Sequence, residues 1–268
     1  MKIVLLSGSE LRHRYFVTKF MQESEFDVVG VFQEGIEKSL FTRAVKEGSQ
    51  QLINHAKLRE ISEKDSFLKD LSVQTKESLI LNNILKGEIN DAYYVQKILD
   101  LEPDLLVCYG SSLIKGELIN RFKGRFLNVH LGLSPYYLGS GTNIWPLVNL
   151  EPEFLGATFM HIDEGIDTGE VIHQIQGDLE ITDTPHSAGN RLIKRMVNTY
   201  LSLTKNFNSI IPMEQIEYST SKYYVRRDFT PEVCRKLYYN FDSRKIFEVR
   251  RNNQVSIIKN PILKTTVL

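Results

Sequence analysis

The chain has 268 residues, 42% of them hydrophobic, and its 33 Lys plus Arg balance its 33 Asp plus Glu. That length suits one large α/β domain with an appendage, or two small domains, and is enough to bury a core without cross-links. Two cysteines cannot build a disulfide framework or a cysteine zinc site, and no apolar run reaches the roughly 18–20 residues of a membrane span, so secreted mini-proteins, membrane proteins and disordered chains are excluded.

Strand-like residues begin at Lys2, with no basic stretch and long apolar run before them, so a cytoplasmic, reducing location is the expectation. Lys2 to Leu6 (KIVLL) is a short apolar run closed by Ser7-Gly8-Ser9 and reads as a buried strand. Leu11, Tyr15, Phe16, Phe20 and Met21 then recur near the helical period, and Phe26 to Phe32 is a second strand. A strand, a helix and a strand in about 30 residues predict a parallel, right-handed βαβ unit. Residues 33 to 89 are polar and mostly helix-like, with Ser78 to Leu81 as one candidate strand. Asn90 is placed to cap a helix with the stripe Tyr94, Ile98 and Leu101. Two more strands follow, Asp104 to Tyr109 and Arg125 to His130, separated by a short helix at Lys115 to Phe122. This pattern predicts an α/β fold with a Rossmann-like, parallel-dominated sheet flanked by helices.

After His130 comes a loop rich in Gly, Pro and Tyr, then a short helix around Trp145. Gly156 to Ile162 and Glu170 to Gln174 read as a strand pair around the tight segment Asp163 to Gly169. Thr184 and Pro185 start a long helix reaching about Asn206. We place a domain boundary there, giving a core of residues 1–206 and a small extension of 207–268 packed on it. In the extension Lys222 to Val225 and Gln254 to Lys259 are β-like, and Thr230-Pro231-Glu232 opens a helix to about Asn240. The neutral total hides a split. From Leu201 onwards there are 12 Lys plus Arg against 6 Asp plus Glu, a net of +6, which leaves −6 for the rest. Such a basic piece is either a solvated face or a site for a phosphorylated or nucleic-acid ligand.

Ligands of open α/β sheets bind outside the carboxyl ends of the strands. Asn128 and His130 sit at such an end, two residues apart in an extended segment, and so share a face. An amide beside an imidazole is a donor pair suited to a developing oxyanion. Asp163-Glu164-Gly165-Ile166-Asp167-Thr168-Gly169 offers carboxylates between glycines, and an Asp near a His can take a proton through water. Each element alone is equally a satisfied polar pair or an acidic turn. The loop lacks EF-hand spacing, the six histidines form no metal signature, and there is no P-loop, G-x-S-x-G or G-x-G-x-x-G. Ser7-Gly8-Ser9 either offers backbone N–H groups to an anion or is a plain turn.

Taken together and in order, PDLLVCYG, Asn128-Val-His130, LGLSPYYLGSG and GATFMHIDEGIDTGEVI resemble the folate-dependent formyltransferase family, over roughly residues 1 to 200. That family includes glycinamide ribonucleotide, methionyl-tRNA and sugar-amine N-formyltransferases. The resemblance implies a formyltransferase fold and carries its catalytic Asn, His and Asp onto Asn128, His130 and Asp167. It implies N10-formyltetrahydrofolate as co-substrate and no metal, with the oxyanion held by Asn128 and protonated His130 and the proton handled by Asp167. It also implies folate contacts at Ser112, Leu113, Ile114, Gly165 and Ile166, and substrate contacts at Gly8, Ser9, Pro135 and Tyr137. Two departures stand out: Gly132 and Leu138 replace a Ser and an Arg common in the family, and Ser7-Gly8-Ser9-Glu10 lacks the second glycine of the phosphate-binding S-G-x-G-S.

A core with a short extension is similar to the sugar N-formyltransferases, because tRNA-formylating relatives carry a larger C-terminal β-barrel. The expected substrate is therefore a small-molecule amine, specifically a nucleotide-linked amino sugar, with no nucleic-acid or membrane partner; the extension would bind phosphates or serve a homodimer. The alternatives are another small amine, methionyl-tRNA, hydrolysis of the formyl donor, and a binding module without catalysis.

Overall fold

The computed structural model describes residues 1–35, 39–71, 80–215, 218–249 and 255–265. Five strands run parallel: β1 (Lys2–Gly8), β2 (Asp27–Glu34), β3 (Ile80–Ile84), β4 (Leu105–Tyr109) and β5 (Phe126–His130). Beyond the short β6 (Tyr137–Gly139), β7 (Gly156–His161) and β8 (Val171–Gln176) add two antiparallel strands. The sheet order is β3-β2-β1-β4-β5-β7-β8, so the chain changes direction of travel between β1 and β4. Ligand crevices open at such a switch point.

Side chains alternate across the strands and divide the core into two layers. On one face Ile3, Leu5, Leu105, Val107 and Phe159 pack with Phe16 and Phe20 of α1 (Leu11–Gln22) and with Met196 and Tyr200 of a later long helix. On the other face Val4, Leu6, Leu106, Cys108 and Phe126 pack with two short helices. The polar insert between β2 and β4 contains α2 (Leu40–Lys46), α3 (Gln50–Phe67) and the edge strand β3. Of the candidate strand at Ser78 to Leu81, the first two residues lie outside the described ones, and β3 starts at Ile80.

The short helices are α4 (Ala92–Asp100) and α5 (Glu117–Arg121). Asp91, not Asn90, is the N-cap of α4. Asn90 instead clamps the chain after β4: its amide donates to Leu113 O (3.0 Å) and its carbonyl oxygen accepts from Lys115 N (2.8 Å). α5 starts later than expected because Gly116 has φ +65°, outside the helical region. α6 (Trp145–Val148) follows β6, and α7 (Pro185–Lys205) opens with a capping box between Thr184 and Ser187.

The C-terminal residues form β9 (Lys222–Tyr224), α8 (Pro231–Asp242) and α9 (Lys245–Glu248). β9 pairs in parallel with β6, and Tyr224 stacks on Trp145 at 3.9 Å between ring centroids. Arg43 of α2 donates to Arg226 O and Phe229 O, both at 2.6 Å. The Tyr238 hydroxyl bridges His55 (3.2 Å) and His186 (3.0 Å), joining α8 to α3 and α7. Asn240 donates to the carbonyls of Leu147 (2.9 Å) and Val148 (3.1 Å) at the end of α6. The expected strand at Gln254 to Lys259 is not a strand among its described residues. Ile258 meets Gln174 of β8, its N–H donating to the side-chain Oε1 (2.9 Å) and its carbonyl accepting from the backbone N–H (2.7 Å). Arg250, Arg251 and Gln254 lie outside the described residues. Among the described residues, no helix is long and apolar enough to cross a membrane.

Candidate active site

β5 lies between β4 and β7, and its carboxyl end carries Asn128 and His130. Asn128 pairs with Cys108 across the parallel ladder and lines a cleft of about 310 Å³ beyond the strand ends. Among the described residues, no hydrogen bond engages its side chain, so its amide is available to a ligand. Cys108 lines the same cleft, but burial pushes its thiol up, which keeps it protonated and unreactive.

His130 lies one layer behind, 7% exposed. Its Nδ1 is 3.2 Å from Asp167 Oδ2 and its Nε2 is 2.9 Å from Tyr137 O. A carboxylate and a carbonyl both accept, so each ring nitrogen faces an acceptor. His130 is not among the residues lining the cleft and meets it through Asp167.

The two carboxylates of the loop do different things. Asp163 folds back on its own turn, with Oδ1 accepting from Gly165 N (3.0 Å) and Thr168 Oγ1 (2.8 Å). Asp167 reaches across to His130, and the same Oδ2 accepts from Gly139 N (3.2 Å). Gly169 allows the loop to close: a Cβ there would lie 1.9 Å from His161 O.

Of the residues expected to contact folate, Ser112, Leu113, Ile114, Gly165 and Ile166 all line the cleft beside Asn128 and Asp167. Leu113 and Ile166 are each 46% exposed, offering apolar surface at its edge. The segment after β4 is held from below by Glu34, a carboxylate 1% exposed at the end of β2. Glu34 accepts from Ser112 N, from Gly87 N (2.8 Å) and from Lys86 Nζ (3.2 Å). Glu34 did not stand out in the sequence, since a lone acid at a strand end carries no spacing signal, and Asn90 stood out only as a helix cap.

Gly8, Ser9, Pro135 and Tyr137 are not among the residues lining this cleft. The His13 ring covers Gly8, where a Cβ would lie 2.4 Å from Nδ1. Beside it Glu10, paired with Arg12 and Arg59, places a carboxylate at the turn where an anion would have to sit. Tyr137 is only 1% exposed, its ring packed near Phe154 and Tyr224 and its hydroxyl on Glu151. Its contribution is its backbone carbonyl, held toward His130. Tyr223 and Ser140 line the cleft without having been singled out; Tyr223 comes from β9, too short a strand for its outward face to be read from alternation.

The family model described as formyl transferase matches residues 1–204. A methionyl-tRNA formyltransferase of Francisella philomiragia is 27% identical over 146 residues, which cover 52% of this chain and 46% of the relative. The GDP-perosamine N-formyltransferase of Brucella melitensis is 33% identical over 97 residues, 36% of this chain and 37% of the relative. The chain thus spans about half or less of these curated relatives. Among solved structures, an N-formyltransferase from Helicobacter canadensis in complex with folinic acid and dTDP-3-aminofucose superposes with a TM-score of 0.53 at 18% identity, covering 88% of this chain and 79% of that one. At that identity the likeness speaks for the fold.

Proposed function

Because the chain belongs to the formyl transferase family, we propose that it moves a formyl group from N10-formyltetrahydrofolate to the primary amine of a nucleotide-linked amino sugar. The observation that carries this reading is the convergence of Asn128 and Asp167 on one cleft, with His130 behind Asp167. In such a transfer the amine adds to the formyl carbon, the carbonyl electron pair moves to oxygen, the amine loses a proton, and the bond to the donor nitrogen breaks as that nitrogen gains one. Asn128 donates to the oxygen as it becomes negative. Asp167 takes the amine's proton, directly or through water, on Oδ1, which makes no hydrogen bond among the described residues. His130, with Nδ1 3.2 Å from Oδ2, keeps Asp167 aimed. This departs from the role of direct oxyanion donor expected for His130, because both of its ring nitrogens already face acceptors.

Leu113 and Ile166 offer apolar surface to a planar donor ring, and backbone groups of residues 111–114 other than Ser112 N and Leu113 O are left for its polar rim. Support for the amino sugar comes from the sugar substrates named for the Brucella relative and the Helicobacter structure. The second reading, methionyl-tRNA, rests on the Francisella relative and on the basic C-terminal residues. The test is to supply N10-formyltetrahydrofolate with a panel of amino-sugar nucleotides, with methionyl-tRNA, or with no amine, and to follow tetrahydrofolate release. Release with an amino-sugar nucleotide alone is the expected result. Release with methionyl-tRNA selects the second reading, release without amine selects hydrolysis, and no release in any arm overturns the enzyme reading.

A further inference from the structure

The catalytic pair is braced by residues beyond the 204 that the family model matches. Asp167 is a non-glycine residue at φ +57°, in the left-handed region. Such a backbone persists where its surroundings over-determine it. Its carbonyl oxygen accepts from Gln215 Nε2 at 2.7 Å, and the same amide nitrogen donates its second hydrogen to Gly169 O at 2.9 Å. Both partners are carbonyls, so the orientation of the Gln215 amide is not ambiguous. Met213 pairs with Val171 in an antiparallel bridge, its N–H donating at 2.8 Å and its carbonyl accepting at 2.7 Å. The bridge lays the 213–215 segment along the exit of the loop. Gln215 is not among the residues lining the cleft.

The other partner of Asp167 is held from the same part of the chain. Gly139 N–H, which donates to Asp167 Oδ2, belongs to β6, and β6 is paired with β9 at Tyr137–Lys222, Leu138–Tyr223 and Gly139–Tyr224. The C-terminal residues therefore fix the backbone of Asp167 through Gln215 and its carboxylate through β9.

Resting on the proposed roles of His130 and Asp167, we infer that Gln215 is a positioning residue, which holds the strained turn at Asp167 so that its carboxylate meets His130 Nδ1. Gln215 touches no reacting group and acts through Asp167. Without its two donors, Asp167 O and Gly169 O lose their shared partner and the turn relaxes away from the left-handed conformation.

The test uses the full chain without ligand and reads the imidazole 15N resonances of His130, assigned by comparison with His130→Gln. Asp167→Asn removes the carboxylate and moves the Nδ1 resonance. Gln215→Met, close in shape but without donors, is expected to move Nδ1 part of the way in the same direction. Amide signals outside residues 163–171 and 211–215 stay in place. Gln215→Glu, which sets a carboxylate against two carbonyls, is expected to move Nδ1 at least as far. Gln215→Ala, read in the same way, replaces either variant if it does not fold. Nδ1 unmoved in the Gln215 variants while Asp167→Asn moves it overturns the inference and leaves the site reading intact. Nδ1 unmoved in Asp167→Asn overturns the His130–Asp167 pairing itself, and the inference with it.

Discussion

At the scale of single residues, the site separates groups that touch the cleft from groups that aim them. The Asn128 amide lines the cleft with no hydrogen bond among the described residues, so removing it takes away one donor and leaves the ladder pairing with Cys108 in place. Asn128→Ala is expected to lower kcat on the order of 10²–10³-fold while folate binding holds, measured by turnover beside titration with 5-formyltetrahydrofolate. A kcat within a few fold of wild type removes Asn128 from the chemistry. The spacing of Asn128 and His130 was legible because a strand has a period of two. The division of labour between Asp163 and Asp167 came only from the family resemblance and not from spacing: which acid closes the turn depends on the positions of Thr168 and Gly165, and which reaches out depends on the distant β5. Tyr137, expected as a substrate contact, is buried, and its backbone carbonyl meets His130.

At the scale of elements, the strands of the core were legible from short apolar runs between turn residues, and β3 was only partly so. An edge strand with exposed Leu81 has little hydrophobic signature. Asn90 shows the limit of cap reasoning, because Asp91 beside it offered the same chemistry and the tertiary contact with the 113–115 segment decided between them. β9 was legible as the β-like stretch from Lys222, whereas its pairing with β6, a strand of three residues far earlier in the chain, was not. The same joint makes a stability prediction. Asn240 is buried and donates to two carbonyls at the end of α6, groups that have no partner within the helix. Asn240→Ala is expected to cost about 1–3 kcal/mol by denaturant unfolding. A loss of a few tenths would show that the C-terminal helices are not anchored there.

At the scale of the whole molecule, the balanced charge gives way to a pH-dependent fold. Burial, the largest cause in each case, pushes His55 down to about 3 and His173 and His186 down to about 4, and holds His13 well below the ordinary range. These rings stay neutral in the folded chain, whereas the unfolded chain takes up protons near the ordinary value of 6.5. Their contribution to stability is full above about pH 6.5 and is lost progressively as pH falls through about 4. The urea midpoint is therefore expected to drop between pH 7.5 and pH 5. A midpoint that holds or rises over that interval contradicts the neutral burial of these histidines.

The central claim is that this cleft passes a formyl group to an amine, and following the carbon itself tests it most directly. N10-formyltetrahydrofolate labelled with 13C in the formyl group is mixed with the amino-sugar nucleotide panel and the wild-type chain, Asn128→Ala or Asp167→Asn, and the products are read by NMR. The account predicts that the label appears as a formamide on a sugar amine with the wild-type chain and is severely slowed in both variants. Label that stays on the folate with the wild-type chain, or moves equally well in all three proteins, contradicts it.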